Sequence, residues 1–167
     1  QEEANVRLNQ LEEEILQRDH LRVFFYAYGD DNSLVKTVAT LLEEKKQSLG
    51  ILENGTGGLL QAELSLALAG QPYYSGGKII SQLGTESGGL SEEASRIREE
   101  LQADLGLVVS VAVKPESTVD NVLAKVYLAL ASTSGISKKE VDLGGYSWQY
   151  LRQLACLQAL DFVRNTL

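Results

Sequence analysis

The sequence predicts an α/β protein in which helices cover both faces of a mixed β-sheet, behind a short helix–strand connector. Amphipathic helical stretches alternate with short apolar runs along the chain, and this alternation favours a layered sheet. Residues 107–113 are almost continuously apolar, which is typical of a strand buried on both faces. Glycine-rich turns separate these runs from the helices that follow. We therefore expect a three-layer α/β/α sandwich, with the strand order left open.

The expected elements follow one another in chain order. Residues 1–19 predict a polar helix with a narrow apolar stripe, and the aromatic-rich residues 21–28 predict a strand. Asn32 or Ser33 is suited to cap a helix that continues to about Lys46. The remaining pattern predicts a strand at 48–52, a helix at 59–68, an irregular stretch at 70–89, a helix from Ser91, strands at 107–113 and 123–131, a Ser/Thr/Gly loop, and a last helix at about 147–166.

The length of 167 residues suits one domain and a short extra element. The sequence contains no methionine, so we expect Gln1 not to be the natural start and the rest of a longer chain to precede it. We assign residues 1–30 to a connector from a preceding domain and residues 31–167 to the α/β domain.

Composition excludes several classes of function. The net charge of −8 and the lack of a basic stripe argue against nucleic acid as a partner. No apolar run approaches the ~20 residues that span a bilayer, and the acidic N-terminus does not resemble a signal peptide. We therefore expect no membrane association and a cytoplasmic location. With a single Cys and a single His, the sequence predicts neither a disulfide nor a metal site, and we expect no cofactor.

The segment best suited to meet a ligand is the turn Glu53-Asn54-Gly55-Thr56-Gly57-Gly58, between a predicted strand and a predicted helix. The first N–H groups of a helix are unpaired, and the helix dipole favours an anion there. Glycines allow a ligand to approach the backbone closely. The turn lacks the Lys-Ser/Thr ending of a P-loop and does not match G-x-G-x-x-G. The alternative is that the glycines serve only a tight turn and close helix packing.

The residues around this turn resemble the C-terminal domain of the competence/damage-inducible protein A (CinA) family, which includes nicotinamide-nucleotide amidases. In that family a strand ending A-E-S-C-T-G-G-L-L opens the helix, and here residues 52–60 read L-E-N-G-T-G-G-L-L. Further family patterns are similar, in order, to residues 73–77, 89–94, 102–107 and 126–131, and a C-terminal pattern of an Arg followed by Ala-Leu fits Arg152 with Ala159-Leu160. Together they cover roughly residues 33–167.

The resemblance implies a known reaction, hydrolysis of the nicotinamide amide of nicotinamide mononucleotide with release of ammonia. It also implies the parts of the site. The Ser of A-E-S-C-T-G-G is the expected nucleophile, and a Tyr and a Lys in a Y-S-N-E-x-K segment would activate it. Backbone N–H groups would hold the oxyanion, and basic residues would bind the phosphate. A pyridine nucleotide or another small anion is therefore the expected partner. We also expect a homo-oligomer.

The sequence departs from the family at the reactive positions. Asn54 replaces the nucleophilic Ser, and an amide cannot act as a hydroxyl nucleophile. Ser81 stands in place of the Tyr, and Trp148 in place of the Arg of a G-D-R motif. The T-G-I-A-G-P loop begins at Ser110, with Val111 and Lys114 in place of its two glycines. These vestigial positions predict that the amidase chemistry is absent.

Three functional hypotheses remain open. The leading one is an inactive domain that serves folding, oligomerisation or nucleotide sensing. The alternative is a divergent active amidase, in which Thr56, the only hydroxyl of the turn, is the remaining nucleophile candidate although no base is evident for it. The third is nucleotide binding without catalysis. The predicted ligand contacts are Glu53, Asn54, Gly55, Thr56, Gly57, Gly58 and Ser110.

Three single residues complete the interpretation. Glu53 matches the family's Glu, and it either orients the turn or contacts a ligand. His20 is expected to have a structural or solvent-exposed role, because no catalytic or metal partner is evident for it. Cys156 lies among apolar residues and is expected to be a small buried side chain.

Overall fold

The computed structural model describes residues 33–81 and 87–167, together with Arg7. Within that part of the chain, helices and strands alternate through the first half and antiparallel strands follow. The elements are α1 (Leu34–Lys45), β1 (Leu49–Asn54), α2 (Leu59–Ala67), β2 (Tyr74–Ile80), α3 (Ser87–Glu100), β3 (Leu105–Val113), β4 (Val122–Ser132), β5 (Gly135–Tyr146) and α4 (Trp148–Thr166).

The strands form one five-stranded mixed sheet in the order β2-β1-β3-β4-β5. β2, β1 and β3 run parallel, whereas β4 is antiparallel to both of its neighbours. One hydrophobic core lies between the sheet and helices α1, α2 and α4, and a smaller one lies between the sheet and α3. The predicted three-layer α/β/α sandwich with a mixed sheet is confirmed.

The alternation of side chains along β1 determines what surrounds the turn that follows it. Leu49 and Ile51 belong to the core under the three helices, and Leu52 belongs to the core under α3. Successive side chains of a strand point to opposite faces of the sheet. Glu53 therefore points toward α2, and Asn54 points toward the α3 side. Two adjacent residues of the predicted site are thus separated by the sheet itself.

Serine side chains cap two of the helices, and for the first of them the sequence predicts Asn32 or Ser33 as the cap. The Ser33 hydroxyl accepts a hydrogen bond from the backbone N–H of Lys36 at the start of α1. The Ser147 hydroxyl accepts one from the N–H of Tyr150 at the start of α4. Serine at these positions satisfies a backbone donor that the helix leaves unpaired. The expected bounds of both helices agree with the structure to within about one residue.

The prediction of an irregular stretch at 70–89 was wrong. Residues Tyr74–Ile80 form β2, an edge strand that pairs in parallel with β1. Helix α3 begins at Ser87 rather than at the predicted Ser91. Glycine is depleted in strands, so local propensity argued against β2. The strand β2 forms nevertheless, because its backbone pairs with β1. No local pattern in the sequence shows that pairing.

The Ser/Thr/Gly loop predicted before the last helix was also wrong. Residues Gly135–Tyr146 form β5, a twelve-residue edge strand. Its burial alternates between exposed and half-buried residues because only one face packs on α4. Two exposed acidic residues of β5 form ion pairs, Glu140 with Lys125 and Asp142 with Lys114. A strand with so little full burial lacks the apolar signal that marks β3 and β4.

Several predictions lie outside the described residues. These are the helix at 1–19, the strand at 21–28, the connector at 1–30 and His20.

Helix α3 rests directly on the sheet at Gly106, and this contact generates a stability prediction. A Cβ added at Gly106 would lie 2.1 Å from the carbonyl oxygen of Ala94 and 2.7 Å from Cβ of Arg98. Because backbone must move, we expect Gly106→Ala to lower the free energy of unfolding by about 3 kcal/mol, at the upper end for overpacking. Chemical denaturation measures this.

The matched control is Gly144→Ala on β5. There the added Cβ would meet first the flexible end of Leu123, which can turn away. We expect this control to change the free energy of unfolding by less than about 1 kcal/mol. Equal effects of the two substitutions would contradict the close packing of α3 on β3.

Candidate functional site

The candidate site lies where β1 ends between its two parallel neighbours. Asn54 is in register with Ile80 of β2 and with Ser110 of β3. In open α/β sheets, ligands bind outside the carboxyl ends of the parallel strands. The structure therefore brings Asn54 and Ser110 together at the edge where the fold would place a ligand.

The Asn54 side chain is tied to both neighbouring strands. Its Nδ2 donates a hydrogen bond to the carbonyl oxygen of Ile80 at 3.1 Å. Its Oδ1 accepts a hydrogen bond from the Ser110 hydroxyl at 3.2 Å. The amide thus bridges β2 and β3 across the end of β1.

The Glu53 carboxylate caps helix α2 from inside the protein. Glu53 is fully buried. Oε1 accepts a hydrogen bond from the N–H of Gln61 at 2.8 Å, and Oε2 accepts one from the N–H of Leu60 at 3.3 Å. The N-cap residue, Gly58, makes no side-chain hydrogen bond of its own. A negative charge at a helix N-terminus is stabilised by the helix dipole.

This arrangement corrects the sequence-based picture of the turn. The helix N–H groups expected to hold an external anion already bind the chain's own carboxylate. Of the two roles left open for Glu53, these hydrogen bonds are the ones expected if it orients the turn.

Thr56 is also fully buried, and its hydroxyl donates to Oε2 of Glu53 at 2.5 Å. No base for Thr56 is evident in the sequence, whereas the structure brings the Glu53 carboxylate to its hydroxyl. A hydroxyl beside a carboxylate resembles the nucleophile–base pairs of hydrolases. Here, however, the pair faces α2 beneath the turn, away from Asn54. The signal that was overlooked is a charged residue two positions after Ile51, on the core-facing side of a buried strand.

The three glycines pack the turn tightly against its surroundings. A Cβ added at Gly55 would lie 2.9 Å from Cβ of Val111, and one at Gly58 would lie 2.6 Å from Cδ1 of Ile79. Gly55 has a φ of +82°, a conformation that favours glycine. The packing role of the glycines is therefore present in the structure. Val111 closes the turn on the β3 side.

Arg152 lies over the turn, and the sequence analysis did not identify it as a site residue. A Cβ added at Gly57 would lie 2.9 Å from its Nη1. Its Nε is buried and has no hydrogen-bond partner in the part of the chain that the structure describes. The C-terminal pattern of an Arg followed by Ala-Leu was the only signal for it. A partly buried guanidinium beside a glycine turn is a suitable contact for an anion.

Two titratable side chains near Glu53 are shifted in pKa. Burial, and secondarily the charge of Glu53, raises the pKa of Tyr74 to about 12. Burial, assisted by the charges of Glu53 and Glu63, raises the pKa of the Cys156 thiol well above its usual value. Cys156 is almost fully buried, so the expectation of a small buried side chain is confirmed. Both groups are neutral at physiological pH, and neither is an activated nucleophile.

Ser81 and Trp148, two further residues of the predicted site, lie at the same end of the sheet but make no hydrogen bond to Asn54. Ser81 is exposed immediately after β2, and Trp148 is the half-exposed first residue of α4. Neither is a hydrogen-bond partner of Asn54.

Among residues 33–81 and 87–167, no three His, Cys, Asp or Glu side chains converge as they would around a metal ion. Over the same residues, no helix has the length and apolar character required to cross a bilayer.

The burial of Glu53 generates a stability prediction. In Glu53→Gln the amide oxygen can keep one of these hydrogen bonds, but the NH2 group would face a backbone N–H donor, and the helix would lose a charged cap. We expect a decrease in the free energy of unfolding of about 1.5–3 kcal/mol, the range for a hydrogen bond to a charged group. Chemical denaturation at neutral pH measures it.

The control for this change is Glu63→Gln, on an exposed position of the same helix. We expect it to alter stability by less than about 0.5 kcal/mol. A loss in the control equal to that of Glu53→Gln would show that the internal cap contributes nothing.

The sequence and the fold of the chain can both be compared with known proteins. No protein-family model matches the chain. A putative competence-damage inducible protein of Streptococcus suis (strain 98HAH33) is 78% identical over 167 residues, which are 100% of this chain and 42% of that protein. A protein of the same description from Streptococcus gordonii is 30% identical over 190 residues, covering 100% of this chain and 46% of that protein. The chain therefore spans less than half the length of these relatives.

The fold agrees with solved structures. A crystal structure of a competence-damaged protein (CinA) superfamily member from Klebsiella pneumoniae superposes with a TM-score of 0.67 at 19% identity. The match covers 80% of this chain and 94% of that one. At this identity the likeness concerns the fold alone. By sequence over all of its residues and by fold, the chain is a homologue of the C-terminal part of competence-damage inducible (CinA) proteins.

Proposed function

We propose that this CinA-type domain does not catalyse amide hydrolysis and serves instead as a structural and ligand-sensing module. The observation that carries the proposal is the bonding of Asn54. Its amide occupies the position of the family's nucleophilic hydroxyl and holds together β2 and β3 through Ile80 and Ser110. A side chain in this position cross-links strands and presents no nucleophile.

The burial of the remaining hydroxyl of the turn supports the same proposal. Thr56 is fully buried, and its hydroxyl is bound to Glu53, which in turn is bound to the helix backbone. A substrate carbonyl would have to pass the turn, where Gly55 already contacts Val111. The Thr56–Glu53 pair is the one observation that favours the alternative, a divergent active amidase, because it has the composition of a nucleophile and a base.

A second function, binding of a small anion such as a pyridine nucleotide without catalysis, is favoured by Arg152. Its guanidinium lies against Gly57, and its buried Nε has no partner among the described residues. A ligand phosphate would supply the missing acceptor. Binding there would make the domain a sensor of nucleotide level, and self-association into a homo-oligomer belongs to the same proposal.

The absence of catalysis is tested by ammonia release from nicotinamide mononucleotide. We expect the purified protein to release no ammonia from nicotinamide mononucleotide, because it lacks an accessible nucleophile. Ammonia up to one equivalent per chain does not count as turnover. Turnover that continues beyond stoichiometry and disappears in Thr56→Val would overturn the proposal in favour of the divergent amidase. Thr56→Ser, which keeps the hydroxyl, is the matched control.

Anion binding is tested by isothermal titration calorimetry with nicotinamide mononucleotide. We expect Arg152→Ala to weaken binding by about ten- to a hundred-fold, the loss of one charge-assisted hydrogen bond. Arg98→Ala on α3 is the control and should leave the affinity unchanged. Undetectable binding by the unmodified protein would remove the sensing role and leave a structural one.

A further inference from the structure

We propose that the bond between Asn54 and Gly55 is a site of intramolecular deamidation in the folded domain, with Ser110 assisting the reaction. The nitrogen of Gly55 would attack the side-chain carbonyl of Asn54. The product would be an aspartyl or isoaspartyl residue at position 54. This modification requires no enzyme and no reactant besides water.

The sequence makes position 54 unique. The chain contains six asparagines, and Asn54 is the only one followed by glycine. Ring closure brings the backbone nitrogen of the next residue onto the side-chain carbon, and a side chain on that next residue hinders the approach. Gly55 has none, and its φ of +82° lies in a region open to glycine. The reacting groups are joined by the chain itself, so closure of the five-membered ring needs no encounter step.

The surroundings of Asn54 add a catalytic element. The Ser110 hydroxyl donates to Oδ1, the oxygen on which negative charge develops when the carbonyl is attacked. A donor already aimed at that oxygen stabilises the tetrahedral intermediate in the manner of an oxyanion hole. Ser110 is fully buried, so water competes little for this hydroxyl. The carbonyl oxygen of Ile80 accepts a hydrogen bond from Nδ2, and this second bond helps to fix the plane of the amide.

The reaction balances without an external oxidant or reductant. The Gly55 nitrogen forms a bond to Cγ of Asn54, the bond from Cγ to Nδ2 breaks, and the Gly55 proton leaves with Nδ2 as ammonia. Water then opens the resulting succinimide ring at either of its two carbonyl carbons. Opening at the backbone carbonyl gives the isoaspartyl product, which inserts a methylene group into the main chain.

The products would alter the site that Asn54 now stabilises. A carboxylate cannot donate to the carbonyl oxygen of Ile80, so this side-chain hydrogen bond from β1 to β2 would be lost. The added main-chain methylene would also displace the turn from Val111. The reaction would thus remove the asparagine cross-link and place a negative charge beside the candidate anion site.

The experiment follows deamidation by mass spectrometry of peptides from the intact, folded protein after incubation at neutral and mildly alkaline pH. We expect the peptide containing position 54 to gain the mass that replaces NH2 by OH, at a rate that rises with hydroxide concentration. Asn121 and Asn165, which precede Val and Thr, are internal controls and should remain unmodified over the same time.

Two comparisons test the contribution of the fold. Folded protein should react at position 54 at least as fast as protein held unfolded in urea, and slower reaction when folded would overturn the proposal. Ser110→Ala, shown to be folded by circular dichroism, should react at least about tenfold more slowly, because one oxyanion donor supplies 10²–10³ in enzymes. Ser110→Thr keeps the hydroxyl and should retain the rate. Equal rates in Ser110→Ala and the unmodified protein would exclude assistance by Ser110.

Discussion

The Glu53 carboxylate is the group on which the geometry of the candidate site depends. It is fully buried at the end of β1, and it accepts hydrogen bonds from the Thr56 hydroxyl and from the N–H groups of Leu60 and Gln61. A buried charge is tolerated only where it is paired or hydrogen-bonded. The turn and the first turn of α2 provide those donors. The same bonds hold the glycine turn in place and occupy the helix N-terminus.

This internal cap changes what the strand–turn–helix motif can bind. Elsewhere, the free N–H groups of such a motif bind phosphate or stabilise an oxyanion. Here they are satisfied by the protein's own side chain, while Asn54, on the opposite face of β1, ties together the ends of β2 and β3. The motif therefore contributes to the architecture of the sheet. Arg152, which lies above Gly57, has a buried Nε that finds no hydrogen-bond partner among the described residues.

The elements that the sequence predicts well are those whose local pattern and tertiary burial agree. β3 and β4 are strongly apolar, and α1 and α4 begin at serine caps, so each can be located from a few neighbouring residues. β2 and β5 were missed because both are edge strands, and their residues are glycine-rich or charged. Their backbone hydrogen bonds to distant strands outweigh their weak local preference.

The sequence by itself determined the fold class and the position of the glycine turn, because these depend on residue identity and local periodicity. Only the tertiary structure decided that Glu53 and Asn54 point to opposite faces, that the Thr56 hydroxyl is buried against Glu53, and that Arg152 lies over Gly57. These relations join α4, which begins about ninety residues later in the chain, to the turn after β1. The physical reason is that contact across such a separation depends on how helices pack on the sheet, and helix packing is not encoded in any local pattern.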